Sequence, residues 1–286
     1  MSHHSIANLH HVTVCAADSL HPELAARALD ICMEQCRFAD AILFSHRPVA
    51  TRARIVSISP LKSKADYSAF MLRELIRHIT TPWVLVVQWD GYVVDASAWR
   101  NAFFEYDYIG APWPFHGEGF EVGNGGFSLR SMRLLQALAD PRFQFPPDVN
   151  EDDVICRLYR HELETEFSLR FPPVEIADRF AYEYTYPHSP TFGFHSARNL
   201  WRHVDDATMM NIVGMLDIRT FTSSEVMQLL IHYCELRKFD CVRTMCRRYL
   251  QHWSPQQLLE NLYTTGVQEA RIRDCAEICA RTMDLQ

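Results

Sequence analysis

The chain has 286 residues, 48% of them hydrophobic and 12% aromatic, which fits a well-cored globular protein with one large domain and an appendage, or two domains, and excludes a disordered chain. Its 35 acidic side chains against 28 basic ones give a formal charge of -7, the wrong sign for a protein whose main partner is a nucleic-acid backbone. No run approaches the roughly 20 apolar residues that span a bilayer, and the polar start MSHHSIANLHH is no signal peptide, so a soluble cytoplasmic protein is expected.

The nine cysteines contain no Cys-x-x-Cys. Cys32/Cys36 and Cys275/Cys279 lie at i,i+4 in helical stretches, where buried thiols are common. A reducing compartment is therefore a better reading than a disulfide framework or a zinc site.

Residues 11–16 alternate and are β-branched, which predicts a first strand with Asp18 and Ser19 at its carboxyl end. Pro22 suits the first turn of a helix carried on by Leu24, Ala25, Ala28, Leu29, Cys32 and Cys36. Residues 41–44 and 54–58 are two further short strands. A polar loop with Lys62 and Lys64, two of only three lysines, leads to Asp66 as the N-cap of a helix through Ile79.

Residues 83–87, WVLVV, read as a strand buried on both faces, as in the middle of a parallel sheet. Gln88, Trp89, Asp90 and Gly91 follow at once. Ligands of open α/β sheets sit beyond the carboxyl ends of strands, which favours chemistry at Asp90, while Asp-Gly is also an ordinary turn signal. Alternating strands and helices predict a mostly parallel α/β sheet.

Seven of the ten glycines fall from Gly91 to Gly126, a density that serves turns and close backbone approach, so this stretch is the expected ligand-contacting region. Within it, 108–111 reads as a strand, 117–119 as a mobile loop, and Gly123, Asn124, Gly125 and Gly126 precede a strand at 127–129 and a helix from Ser131. Asn150 is expected to cap a helix opening Glu151, Asp152, Asp153; the helix dipole alone favours acids there, in competition with a chemical role. Residues 169–181 are expected to be extended. His195, between Phe194 and Ser196, is open to two readings, a packed histidine or a ligand. Beyond Trp201 the pattern is helical: Thr222 with Glu225 reads as a capping box, and a helix begun by Ser254 and Pro255 stops at Gly266. This tail carries no catalytic cluster, so packing, partner binding or self-association is its default role.

Moving a sugar off a nucleotide diphosphate needs a cation or basic groups for the departing diphosphate, a carboxylate for the acceptor's proton, and backbone-lined space for the sugars. Asp90 and His195 can ligate manganese or magnesium, and Asp152 or Glu151 can act as base.

QWDGYV, EYDYIGAPW, VGNGGFSLRS, NEDDVIC and FGFHS, in this order and spacing, resemble a bacterial glycosyltransferase-like family with the GT-A fold, similar in layout to Fringe-type β-1,3-glycosyltransferases. The resemblance covers residues 12–201, most tightly 84–127. It implies a mixed α/β sheet flanked by helices in a domain of residues 1–203; it does not extend to the tail, whose helical pattern gives an all-α appendage of residues 204–286. It assigns metal and nucleotide-sugar binding to Asp90, with Gln88 beside it, the sugar and acceptor lining to Gly125 and Gly126, the base to Asp152 with Glu151 next to it, and completion of the metal site to His195. Lys64 and Tyr67 fall on the nucleotide side. One departure matters: the usual acid-any-acid signature reads Gln88-Trp89-Asp90.

The implied activity is transfer of a sugar, with uridine diphosphate the more common donor nucleotide, to a bacterial glycan, lipid-linked saccharide or protein. Inversion is expected if one displacement occurs. The alternative, favoured by Gln88, is a catalytically silent sugar-binding or scaffold protein acting through its helical tail.

Overall fold

The computed structural model describes residues 6–117 and 119–284. The start of the N-terminal polar segment and the middle of the expected 117–119 loop lie outside the described residues. The chain divides into two compact units, Met1–His195 and Ser196–Gln286.

The first unit is built on a six-stranded mixed sheet of order β3-β2-β1-β4-β6-β5. Its strands are β1 (Ala7–Ala17), β2 (Cys36–Ser45), β3 (Arg54–Ser57), β4 (Trp83–Val86), β5 (Tyr108–Ile109) and β6 (Ser128–Ser131). The four on the β3 side run parallel, while β6 runs against both β4 and β5. This reversal positions the site. Val86, the last residue of β4, pairs with Ser128, the first of β6, so the residues just past β4 and those just ahead of β6 meet at one end of the sheet. A short parallel pair, β7 (Ala181–Tyr182) and β8 (Gly193–Phe194), adds a second two-stranded sheet.

Helices pack along the sheet: α1 (Pro22–Gln35), α2 (Lys64–Ala69), α3 (Met132–Leu138), α4 (Glu151–Asp153), α5 (Arg160–Thr165) and α6 (Val174–Phe180). Wider and tighter turns extend α2 as far as His78 and α4 as far as Leu158. One core cluster sets Val84 and Val86 of β4 against Ile42, Phe44, Phe70, Met71 and Leu75. Another joins Tyr108 and Trp113 to Leu134, Leu138, Val154 and Ile155. Burying such side chains contributes about 1.5–3 kcal/mol each.

Several local expectations are corrected. Cys36 is extended and opens β2, because α1 ends at Gln35. The N-cap of α2 is Ser63, whose Oγ accepts from Asp66 N–H, while Asp66 folds back to accept from Lys62 N–H. Residues 174–180 are helical, not extended: Pro173 turns the chain and its carbonyl accepts from Ile176 and Ala177, which lets Ala177 and Phe180 bury on one face.

The second unit is helical throughout: α7 (Asp206–Met215), α8 (Ile218–Phe221), α9 (Ser224–Glu235), α10 (Phe239–Tyr249), α11 (Pro255–Tyr263) and α12 (Glu269–Asp284). Ser223, not Thr222, caps α9 through Val226 N–H, and the full capping box is at Ser254 and Gln257. No described helix is long and apolar enough to cross a membrane.

Candidate functional site

The end of β4 and the entry to β6 enclose a cluster of charged side chains. Asp90 is buried, and its Oδ1 lies 3.6 Å from Nε2 of His195. The same nitrogen is 3.1 Å from Gln88 Oε1, and Gln88 Nε2 donates to the Tyr67 hydroxyl at 3.0 Å. His195 arrives just past β8, whose pairing of Tyr182 with Phe194 carries Glu183 alongside the imidazole. Glu183 Oε1 lies 3.2 Å from Nδ1.

Asn124 fastens this arrangement. It takes a left-handed φ of 64°, which asparagine tolerates better than most side chains. Its Nδ2 donates to Glu183 Oε2 at 2.6 Å and stands 3.0 Å from His195 Nδ1, while its Oδ1 accepts from Phe127 N–H. Burial disfavours the imidazolium, but the carboxylates of Asp90, Glu183 and Asp152 outweigh it and hold His195 at about 9.

Gly125 and Gly126 divide this cluster from a second one. A β-carbon on Gly126 would overlap His195 Nε2, and one on Gly125 would overlap Glu151 Oε1. The neighbouring Gly123 is filled in the same way by the Trp113 ring. The glycine-rich stretch expected to approach a ligand is therefore needed at these positions to admit the protein's own side chains.

On the far side, Asp152 Oδ2 accepts from Gly125 N–H at 2.9 Å and Oδ1 from Asp153 N–H at 2.9 Å. Burial and the adjacent Glu151 charge raise Asp152 to about 7, against the pull of those N–H donors. Glu151 behaves differently. It is buried and accepts from the fully buried Arg130 at 3.1 Å. Arg130 also donates to Ser128 Oγ and the Gly125 carbonyl, while its Nη1 is buried without a hydrogen-bond partner among the described residues.

The structure thus brings together Gln88, Asp90, Gly125, Gly126, Glu151, Asp152, His195 and Tyr67. Lys64 is exposed at the start of α2 and makes no hydrogen bond or ion pair with the cluster among the described residues. Three members carry no sequence signal that singles them out: Glu183, Asn124 and Arg130. Asn124 sits inside the GNGG stretch, where the glycines are the stronger signal. Glu183 becomes legible only once β7 is paired with β8. The neighbouring β1 end adds Asp18, whose Oδ1 accepts from the Leu20 and His21 N–H groups at 2.6 Å each, and His21 packs against the Trp89 ring. Burial raises the Asp18 carboxyl, with those bonds opposing.

His195 Nε2 lies 3.6 Å from Asp90 Oδ1 and 3.1 Å from Gln88 Oε1, separations at which it can share a cation held at about 2.1 Å with either oxygen. The carboxylates of Asp90, Glu183 and Asp152 also concentrate negative charge around the imidazole, and a divalent cation would offset it. The donor set therefore fits manganese or magnesium, once the proton on Nε2 has left.

Buried carboxylates thus gather beyond the carboxyl end of a parallel strand of a mixed α/β sheet, the place where open α/β sheets commonly take their ligands. The chain belongs to the family described as "Protein of unknown function (DUF5672)", which matches residues 51–195. No curated protein matches. Among solved structures, the chain is similar to a glycosyltransferase involved in the glycosylation of the major capsid of PBCV-1, with 12% identity, a TM-score of 0.41, and 65% of this chain and 92% of that one covered. It is also similar to the mannosyltransferase PcManGT from Pyrobaculum calidifontis in complex with GDP-Man and Mn2+, with 12% identity, a TM-score of 0.41, and 96% and 85% covered.

Proposed function

We propose that the chain is a glycosyltransferase of the GT-A type that moves a sugar from a nucleotide diphosphate to an acceptor hydroxyl on a glycan, lipid-linked saccharide or protein. The observation that carries this reading is the placement of two different carboxylates on either side of Gly125 and Gly126. Asp90 lies with His195, suited to a cation and diphosphate, and Asp152 is poised near neutrality, suited to a proton.

Asp90 and His195, with the Gln88 amide oxygen, would hold manganese or magnesium. When bound, the cation neutralises charge on the departing diphosphate. Asp152 accepts the proton of the acceptor hydroxyl, which attacks the anomeric carbon as the bond to the diphosphate oxygen breaks. A single displacement of this kind inverts the configuration, through a transition state with oxocarbenium character like that of glycoside hydrolysis. Glu151, already matched by Arg130, positions α4 and Gly125 instead of taking the proton. Asn124 and Glu183 fix the imidazole.

The silent-scaffold reading has one observation in its favour: both imidazole nitrogens already face protein oxygens, Gln88 Oε1 and Glu183 Oε1. Calorimetric titration of uridine and guanosine diphosphates, with and without manganese, separates the two. Metal-requiring binding of one nucleotide that is lost in Asp90→Asn supports the transferase. Absence of binding by any nucleotide under either condition sinks it and leaves the scaffold.

A further inference from the structure

The second unit carries a cluster that the proposed reaction does not use. Cys234 on α9 and Cys275 and Cys279 on α12 turn their sulfurs to a common point in the interior of the helical unit, and all three are buried. Cys275 and Cys279 are one turn apart and so share a face of α12. The sulfurs are 3.3 Å apart for Cys234 and Cys275, 3.9 Å for Cys234 and Cys279, and 4.0 Å for Cys275 and Cys279.

These separations select among three states. A disulfide needs sulfurs at about 2.05 Å, far closer than any pair here. Buried thiols packed as small apolar groups need no common focus. Cys32, for example, is buried under the sheet, and its sulfur accepts from the Val93 N–H. Tetrahedral zinc, at Zn–S distances of about 2.3 Å, places its thiolates about 3.8 Å apart, close to the 3.9 and 4.0 Å that Cys279 makes with its two neighbours, while the 3.3 Å of Cys234 and Cys275 is shorter. Among the described residues, these three cysteines are the group of His, Cys, Asp or Glu side chains whose ligand atoms converge closely enough for one ion.

We propose that Cys234, Cys275 and Cys279 form a zinc site that joins α9 to α12. Thiolate donors buried in the interior of the helical unit match zinc in a structural role. Binding converts the ligating thiols to thiolates and releases their protons to solvent. The free energy of binding then becomes folding free energy of the helical unit, independent of the chemistry proposed for the first unit.

The test is metal analysis of the full chain expressed with zinc in the medium, combined with cobalt substitution. One zinc per chain, released by a mercurial thiol reagent, supports the site, as does an intense thiolate-to-cobalt band after exchange. Cys275→Ser/Cys279→Ser should lose the metal, whereas Cys241→Ser, a buried cysteine of α10 outside the cluster, should keep it. If the double variant does not fold, the mercurial release and the cobalt spectrum of the unmodified chain still decide. A metal-free chain with nine freely titrating thiols overturns the proposal. So do a disulfide between Cys234 and Cys275, iron with sulfide in place of zinc, or a double variant that retains its zinc.

Discussion

Gly126 lies against His195 so closely that a β-carbon on the glycine would occupy the place of the imidazole Nε2. Gly126→Ala must therefore push the ring away from Asp90 and Gln88. A displacement of about 1 Å in a catalytic constellation can cost about 100-fold in rate. We expect the variant to remain folded by circular dichroism while manganese-dependent nucleotide binding weakens and turnover falls by about that factor. Unchanged binding would show that His195 is not part of the ligand site.

Asp152 has to be ionised to take a proton, and it is held at about 7. The value of kcat/KM should rise about tenfold per pH unit below that point and level off above it. Asp152→Asn should lose about 100- to 10,000-fold in kcat and flatten this limb of the profile. Persistence of the same limb in the variant would transfer the titration to another group.

Glu183 is a principal reason that His195 is held at about 9. Removing its charge with Glu183→Gln should lower the imidazole titration followed by NMR in metal-free protein. A raised folded value sets the sign for stability: the contribution of the imidazolium is complete below its unfolded value of about 6.5 and is lost as pH rises through about 9. The thermal midpoint of the unmodified chain should accordingly fall across that window, and Glu183→Gln should flatten the fall. An imidazole that titrates unchanged in the variant would remove Glu183 from the account.

Arg130 and Glu151 form a buried ion pair with no exposure on the arginine side chain. Removing one partner from such a pair typically costs about 3–5 kcal/mol, because the other charge is stranded. Glu151→Ala should show a loss of that order in chemical denaturation, and Arg130→Met/Glu151→Leu should recover part of it. Full stability in Glu151→Ala combined with abolished turnover would instead make Glu151 the base.

The segments legible in the sequence are those whose partners are local. The WVLVV run declares β4 through its composition, and Pro22 declares the start of α1 through its missing N–H. Where the outcome depends on distant pairing, the sequence is silent. Nothing in residues 83–91 reveals that β6 runs antiparallel to β4, yet that reversal brings Gly126 to Gly91, next to Asp90. Glu183 has no signal of its own, because its role depends on the register of β7 against β8. The glycines do mark places of close approach, but the groups that approach Gly125 and Gly126 are Glu151 and His195, which no spacing rule encodes. Residues 174–180 read as extended because two prolines ahead of a short apolar pattern signal a bend, and a bend leads into a helix as readily as into a strand.

Asn124 and Gly125 also form a link exposed to chemical ageing. An Asn-Gly peptide loses its side-chain ammonia when the glycine nitrogen attacks the asparagine carbonyl and closes a succinimide ring. Here the Gly125 nitrogen donates to Asp152, and both ends of the Asn124 amide are engaged, by Glu183 and by Phe127 N–H. The bonds that assemble the site thus also shelter its most fragile link. Loosening them would let Asn124 convert slowly to an acid or a rearranged backbone, setting a new negative charge against Glu183 and dismantling the site from within.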